Sequence, residues 1–120
     1  MIVEDTVRAF HDRVEAAIER DDPLELADVI FEVGLEAAER EWAQACCVAL
    51  ARHRNAEVRG NAVAAFGHLA RRFGQLDPRR VKRLIDIALW DRSEIVRRQA
   101  ASAADDLGTF LAWEFERPGR

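Results

Sequence analysis

Apolar residues recur along this chain at steps of three and four, the spacing that lays side chains along one face of an α-helix. Val3, Val7, Phe10, Val14, Ala17 and Ile18 form the first such stripe. Asp21-Asp22-Pro23 then reads as a stop followed by a new start. Asp22 can cap, and Pro23 suits the first helical turn, where its missing N–H forfeits no bond. Leu26, Val29, Ile30 and Val33 make the second stripe, with Gly34 as its C-terminal breaker. From Leu35 to Arg40 the pattern is ambiguous.

From Glu41 onward it sharpens. Ala43, Cys46, Cys47, Leu50 and Ala51 form one stripe, His53-Arg54-Asn55 interrupts it, and Val58, Ala62, Ala65, Phe66, Leu69 and Phe73 form another. Gly74-Gln75-Leu76-Asp77-Pro78 supplies a turn, with Asp77 as cap and Pro78 at the first helical position. A second pair follows: Val81, Leu84, Ile85, Ala88 and Leu89 line its first member, and Val96, Ala100, Ala103, Leu107 and Leu111 its second.

Sliding the sequence against itself until Ala43 meets Val81 aligns the two pairs without a gap. Cys46 then meets Leu84, Cys47 meets Ile85, Val58 meets Val96, Arg59 meets Arg97, Ala62 meets Ala100, Ala65 meets Ala103 and Leu69 meets Leu107. Two helices and two turns in about 40 residues is the length of a helical-hairpin repeat, and a hairpin buries both its faces only by stacking on neighbours. The small residues at 62, 65, 100 and 103 let second helices approach closely, and Gly67 follows the same logic, since a mid-helix glycine costs roughly 1 kcal/mol relative to alanine. The expected fold is all-α: an α-α superhelix of stacked antiparallel helical hairpins, about six helices in one domain. Its parts are N-terminal helices over 1–40, a first repeat over 41–77 and a second over 78–115. The N-terminal part does not share the register of the two repeats.

Asn-Ala-Glu-Val-Arg-Gly-Asn-Ala at 55–62 and Ser-Glu-Ile-Val-Arg-Arg-Gln-Ala at 93–100 resemble the second-helix motif of HEAT repeats, a polar cap followed by Val-Arg and then Ala. The resemblance covers roughly Glu41 to Leu107, with Asn55 and Ser93 standing where Asp is more usual. It implies that Arg59 and Arg97 are structural, each pairing with an Asp or a carbonyl of an adjacent turn. The segments 41–50, 66–77 and 104–107 are similar to a group of short bacterial HEAT-like proteins, some of them immunity proteins of interbacterial toxin systems. That resemblance implies a cytoplasmic protein that binds and neutralises one cognate toxin.

With 120 residues, 49% of them hydrophobic, the chain has enough apolar content for a core of its own. No uncharged run, Trp42 to Ala51 included, approaches the roughly 20 apolar residues of a membrane span, and the acidic N-terminus does not read as a signal peptide. Cys46 and Cys47 are sequence neighbours, poorly placed to bridge each other, so a reducing cytoplasm fits best. They align with Leu84 and Ile85, which marks them as core residues. The net charge of −4 is unevenly distributed. Met1 to Glu41 carries 13 acidic and 4 basic residues, Trp42 to Arg120 carries 9 and 14, and the first part could steer a basic partner.

The usual chemistries find no motif. Neither His-Glu-x-x-His nor Glu-x-x-His occurs, no Gly-x-Ser-x-Gly turn presents a nucleophile, and no glycine-rich phosphate loop or Walker sequence appears. The reading is therefore a non-catalytic binding module without metal or cofactor. Its partner surface is expected on the second helices, which line the inner face of HEAT arrays: Asn61, His68 and Arg72 in one repeat, Gln99 and Asp106 in the next, with Glu32, Glu36 and Glu39 steering a basic protein such as a toxin domain. Trp42, Trp90 and Trp113 are expected to pack at repeat edges. Phe110, Trp113 and Phe115 would cap the open end of the stack or else mark a self-association surface, which leaves a homodimer open. The alternative function is nucleic-acid association through the stripe Arg71-Arg72, Arg79-Arg80-Lys82-Arg83 and Arg97-Arg98, although a sequence pI near 5.4 argues against it.

Overall fold

Each apolar stripe folds as a helix. The computed structural model describes residues 2–119, which contain α1 (Ile2–Arg20), α2 (Pro23–Glu36), α3 (Arg40–Leu50), α4 (Ala56–Phe73), α5 (Pro78–Ala88) and α6 (Glu94–Leu111), with no strand among them. Polar side chains start three helices by accepting a backbone N–H: Asn55 from Val58, Asp77 from Arg79 and Ser93 from Val96. Asp22 occupies the equivalent position before α2 but makes no side-chain cap bond; Pro23 at the first position removes one donor there. Gly74 ends α4 in the left-handed region at φ 65°, where only glycine sits without strain.

Helices pair as antiparallel hairpins, α1 with α2, α3 with α4 and α5 with α6, and the hairpins stack through their second members. The longest contacts run from α4 to α6 and from α2 to α4, so α4 lies in the middle and also touches α3 and α5. Its buried face, Val58, Ala62, Val63, Ala65, Phe66, Leu69 and Ala70, belongs to one continuous apolar core that extends from Val14 to Leu107. Small residues set the helix spacing. A Cβ placed on Gly67 would lie 3.2 Å from the Ala103 Cα, and one on Gly34 would lie 3.0 Å from the Ala65 Cβ and 3.2 Å from its Cα.

That geometry corrects the expectation for Gly34. It does not end the helix but is buried in the last turn of α2, which runs on to Glu36 with Ala37 as its cap. It also brings the N-terminal hairpin into the repeat. Gly34 meets Ala65 and His68, while Gly67 meets Ala103 and Asp106, the same two positions in the next repeat. Gly34 and Gly67 are therefore equivalent. Laying one on the other matches Val14 with Cys47, Ala17 with Leu50, Ile30 with Val63, Val33 with Phe66 and Ala37 with Ala70, all buried. The register is shorter here because α2 has 14 residues where α4 and α6 have 18, a difference of about one helical turn.

Two further expectations need correction. Val3, at the outer start of α1, is 73% exposed and not part of the core stripe. Trp90 is 63% exposed and does not pack at a repeat edge. It follows the end of α5 at the position matching Arg52, which also points to solvent. Trp42 does join two hairpins, stacking on His11 at 3.7 Å between ring centroids and donating from Nε1 to Glu15. At the other end, residues 112–119 leave α6 and turn back. Trp113 and Phe115 pack against the core, Lys82 donates to the Glu114 carbonyl, and Arg117 pairs with Asp105. Phe110 remains half exposed beneath the Arg71 guanidinium.

Burial pushes the Cys46 thiol up to about 12 and that of the fully buried Cys47 higher still. Neither forms the reactive thiolate near neutral pH. Native protein at pH 8 is expected to leave both thiols unmodified by a disulfide-exchange reagent and to titrate both after unfolding. Fast labelling of either before unfolding would contradict this packing.

Candidate functional site

The turns inside the hairpins are joined to one another by ion pairs, one of them nearly buried. Arg59 donates from Nε and Nη2 to the two carboxylate oxygens of Asp91, at 2.8 and 2.9 Å, and from Nη1 to the carbonyls of His53 and Arg54. Its bonds to Asp91 hold that carboxyl below the usual carboxylate range; burial opposes the shift, and a bond from the Ser93 N–H supports it. Arg97 donates to the Asp91 carbonyl. Both arginines thus grip the turn between α5 and α6. One turn earlier, Asp21 binds His53 at 2.7 Å and the Arg54 guanidinium at 2.6 Å, and these bonds lower its pKa, that of His53 most.

The second-helix face places the expected partner residues in two groups. Asn61 and Gln99 are tied into the stack: Asn61 donates to the Ala27 carbonyl of α2 and accepts from Gln99 of α6, so one amide bridges three helices. Arg72 does the same for the end of α2, donating to the carbonyls of Gly34 and Ala37. A cation there also complements the negative end of the helix dipole. Each of these three side chains is thus held by at least one hydrogen bond within the chain. Asp106 pairs with Arg71 at 3.5 Å, Glu32 forms a two-bond pair with Arg13, and Glu39 lies 3.4 Å from His11. Glu36 is exposed and has no ion pair among the described residues.

His68 sits half buried at the centre of this face, edge-on to Phe31 at 6.2 Å. Burial, and then the charge of Arg71, hold it below the ordinary histidine range against the pull of Asp106, so it is neutral at pH 7. Its Nδ1 has no hydrogen-bond partner within the described residues.

The feature that pattern reading passed over is apolar. Leu24, Phe31 and Leu35 of α2 are 79%, 49% and 43% exposed. Steps of seven and four put them on one helix face, opposite the buried Leu26, Ile30 and Val33. Asp28 and Glu36 flank them, and neither has a partner among the described residues. The signal lay in α2 itself, which carries two apolar stripes where one would fill the core. On α6 the same layer exposes Ile95 and Phe110. The second helices therefore present an apolar, acid-flanked edge on α2, a neutral histidine in the centre and a mixed edge on α6. No group of three or more His, Cys, Asp or Glu among the described residues is placed to hold a metal ion, and no helix among them is long and apolar enough to cross a membrane. No family model, curated protein or solved structure matches this chain.

Proposed function

We propose that this chain is a non-catalytic, HEAT-type protein-interaction module that takes a basic protein partner on the face of its second helices. The observation that carries the proposal is the exposed stripe Leu24, Phe31 and Leu35 beside the unpartnered Asp28 and Glu36. Large apolar side chains aligned on one solvent face mark an interaction site, and flanking carboxylates favour a partner with lysine or arginine around an apolar anchor. A toxin-neutralising immunity protein of bacterial cytoplasm is the specific form of this reading, in which the partner is a basic toxin domain occluded by the bound module.

The nucleic-acid alternative loses support. Of its arginine and lysine stripe, Arg71, Arg72, Lys82, Arg97 and Arg98 bond to groups of the chain itself, which leaves Arg79, Arg80 and Arg83 free.

Affinity capture on the immobilised chain from its source lysate tests the proposal. Wild type should retain a basic protein that the double variant Phe31→Ser, Leu35→Ser does not. Once that protein is purified, Glu36→Lys should slow its association and flatten the salt dependence, because exposed charge acts mainly on encounter. Equal capture by the wild type and the double variant would contradict the reading.

A further inference from the structure

A second surface carries the opposite chemistry. Between the end of α5 and the turn joining α3 to α4 lies a cavity of about 380 Å³. Ala51, Leu84, Ile87 and Ala88 give it aliphatic walls, and Arg52 and Arg92 stand at its edge. Asp91 also lines it, but both of its carboxylate oxygens are bound by Arg59, so this acid is already neutralised. Arg54, likewise at the edge, is paired with Asp21.

The other two cations that line the hollow, Arg52 and Arg92, are free, and so is Arg83, one helical turn before Ile87 on α5. The side chains of Arg52, Arg79, Arg80, Arg83 and Arg92 have neither hydrogen bond nor ion pair among the described residues, and all lie on α5 or beside its C-terminal end. Asp86 is the one acidic residue of α5. On the same helix end Ile87 is 41% exposed, and Trp90, one turn on, is 63% exposed. Unpaired guanidinium groups around an aliphatic hollow match a ligand that combines carboxylates with an apolar side chain.

We propose that this hollow docks an acidic segment of another protein, which inserts one apolar side chain between Leu84 and Ile87 and lays its carboxylates against Arg52, Arg83 and Arg92. The site lies off the second-helix face and selects the opposite charge, so it is independent of the function proposed above. Trp90 nearby offers one flat face to a nucleic acid, but the walls of the hollow itself are aliphatic and suit an apolar side chain; the oligothymidylate arm of the test separates the two. The acid-flanked stripe of α2 on a second copy of the chain has the same chemistry, and sedimentation separates that occupant from another protein.

Selection of phage-displayed random dodecapeptides on the full chain tests this. Enriched peptides should carry several Asp or Glu around an aliphatic or aromatic residue. A fluorescent synthetic copy should lose about tenfold or more in affinity to the triple variant Arg52→Glu, Arg83→Glu, Arg92→Glu, but not to Phe31→Ser. Helix content by circular dichroism should stay at the wild-type level in each variant. Peptides without acidic enrichment, or binding unchanged in the triple variant, would overturn the proposal. So would tighter binding of a single-stranded oligothymidylate that the triple variant abolishes, or sedimentation showing self-association that it abolishes.

Discussion

Truncating Phe66 to alanine is expected to remove about 3–5 kcal/mol of stability, the usual loss for a fully buried aromatic side chain. Phe66 is the largest side chain wholly removed from solvent, and it lies on α4, the helix that touches α2, α3, α5 and α6. In the row Val33, Phe66 and Ala104, the large residue sits on the middle helix, so no neighbour of its own size can relax into the space it vacates. Domains of this class hold only about 5–15 kcal/mol in total, so the variant should be largely unfolded in urea concentrations that leave wild type intact. Ile87→Ala, on a side chain already 41% exposed, should shift the same transition by only about 0.5 kcal/mol. Similar midpoints for the two variants would mean that α4 does not hold the hairpins together.

The second large effect belongs to Arg59. Arg59 and Asp91 side chains are each only 12% exposed, and the guanidinium binds two carbonyls as well as the carboxylate. Arg59→Ala would leave that carboxylate without its cation, at an expected loss of about 3 kcal/mol. Arg59→Lys should recover part of it, because an ammonium cannot form the paired bonds. The pH dependence has a defined sign. The folded state holds the Asp91 carboxyl below its ordinary value of 3.8, so the contribution is complete well above that pH and disappears as pH falls through the lower, folded value. Urea transitions of wild type and Asp91→Asn should therefore lie far apart at neutral pH and draw together below about pH 4. A gap that stays constant would remove the ion pair from the account.

Helices and hairpins were legible because each carries an apolar stripe with the helical period, and the ungapped match of the hairpin at 41–77 with the one at 78–115 left little room for another fold. The N-terminal hairpin escaped the same test for a geometric reason. Losing one turn from α2 shortens its register, and a search at one fixed shift passes over it. Gly34 shows where local signals stop. Glycine near the end of an apolar stripe reads equally as a cap or as a point of close approach, and only Ala65 on the neighbouring helix decides. Trp90 was misplaced because an aromatic residue at a helix end carries no mark of which way it faces.

The candidate surface was less legible. Polar residues off the apolar stripe were natural choices, yet Asn61, Gln99 and Arg72 serve the stack, satisfying carbonyls and one another where adjacent helices meet. Such bonds depend on neighbours distant in sequence. The exposed Leu24, Phe31 and Leu35 could have been found by asking which apolar positions of α2 fall outside its core stripe.

Photo-crosslinking from position 31 addresses the central claim most directly. With p-benzoylphenylalanine in place of Phe31, the full chain expressed in its source cells should, on irradiation, form a covalent adduct with one basic protein. The adduct should vanish when Leu24 and Leu35 are also changed to serine. The same probe at the exposed Glu19 of α1 should capture no such protein. Absence of any protein adduct at position 31, or equal capture from position 19, would contradict a partner surface on the second helices.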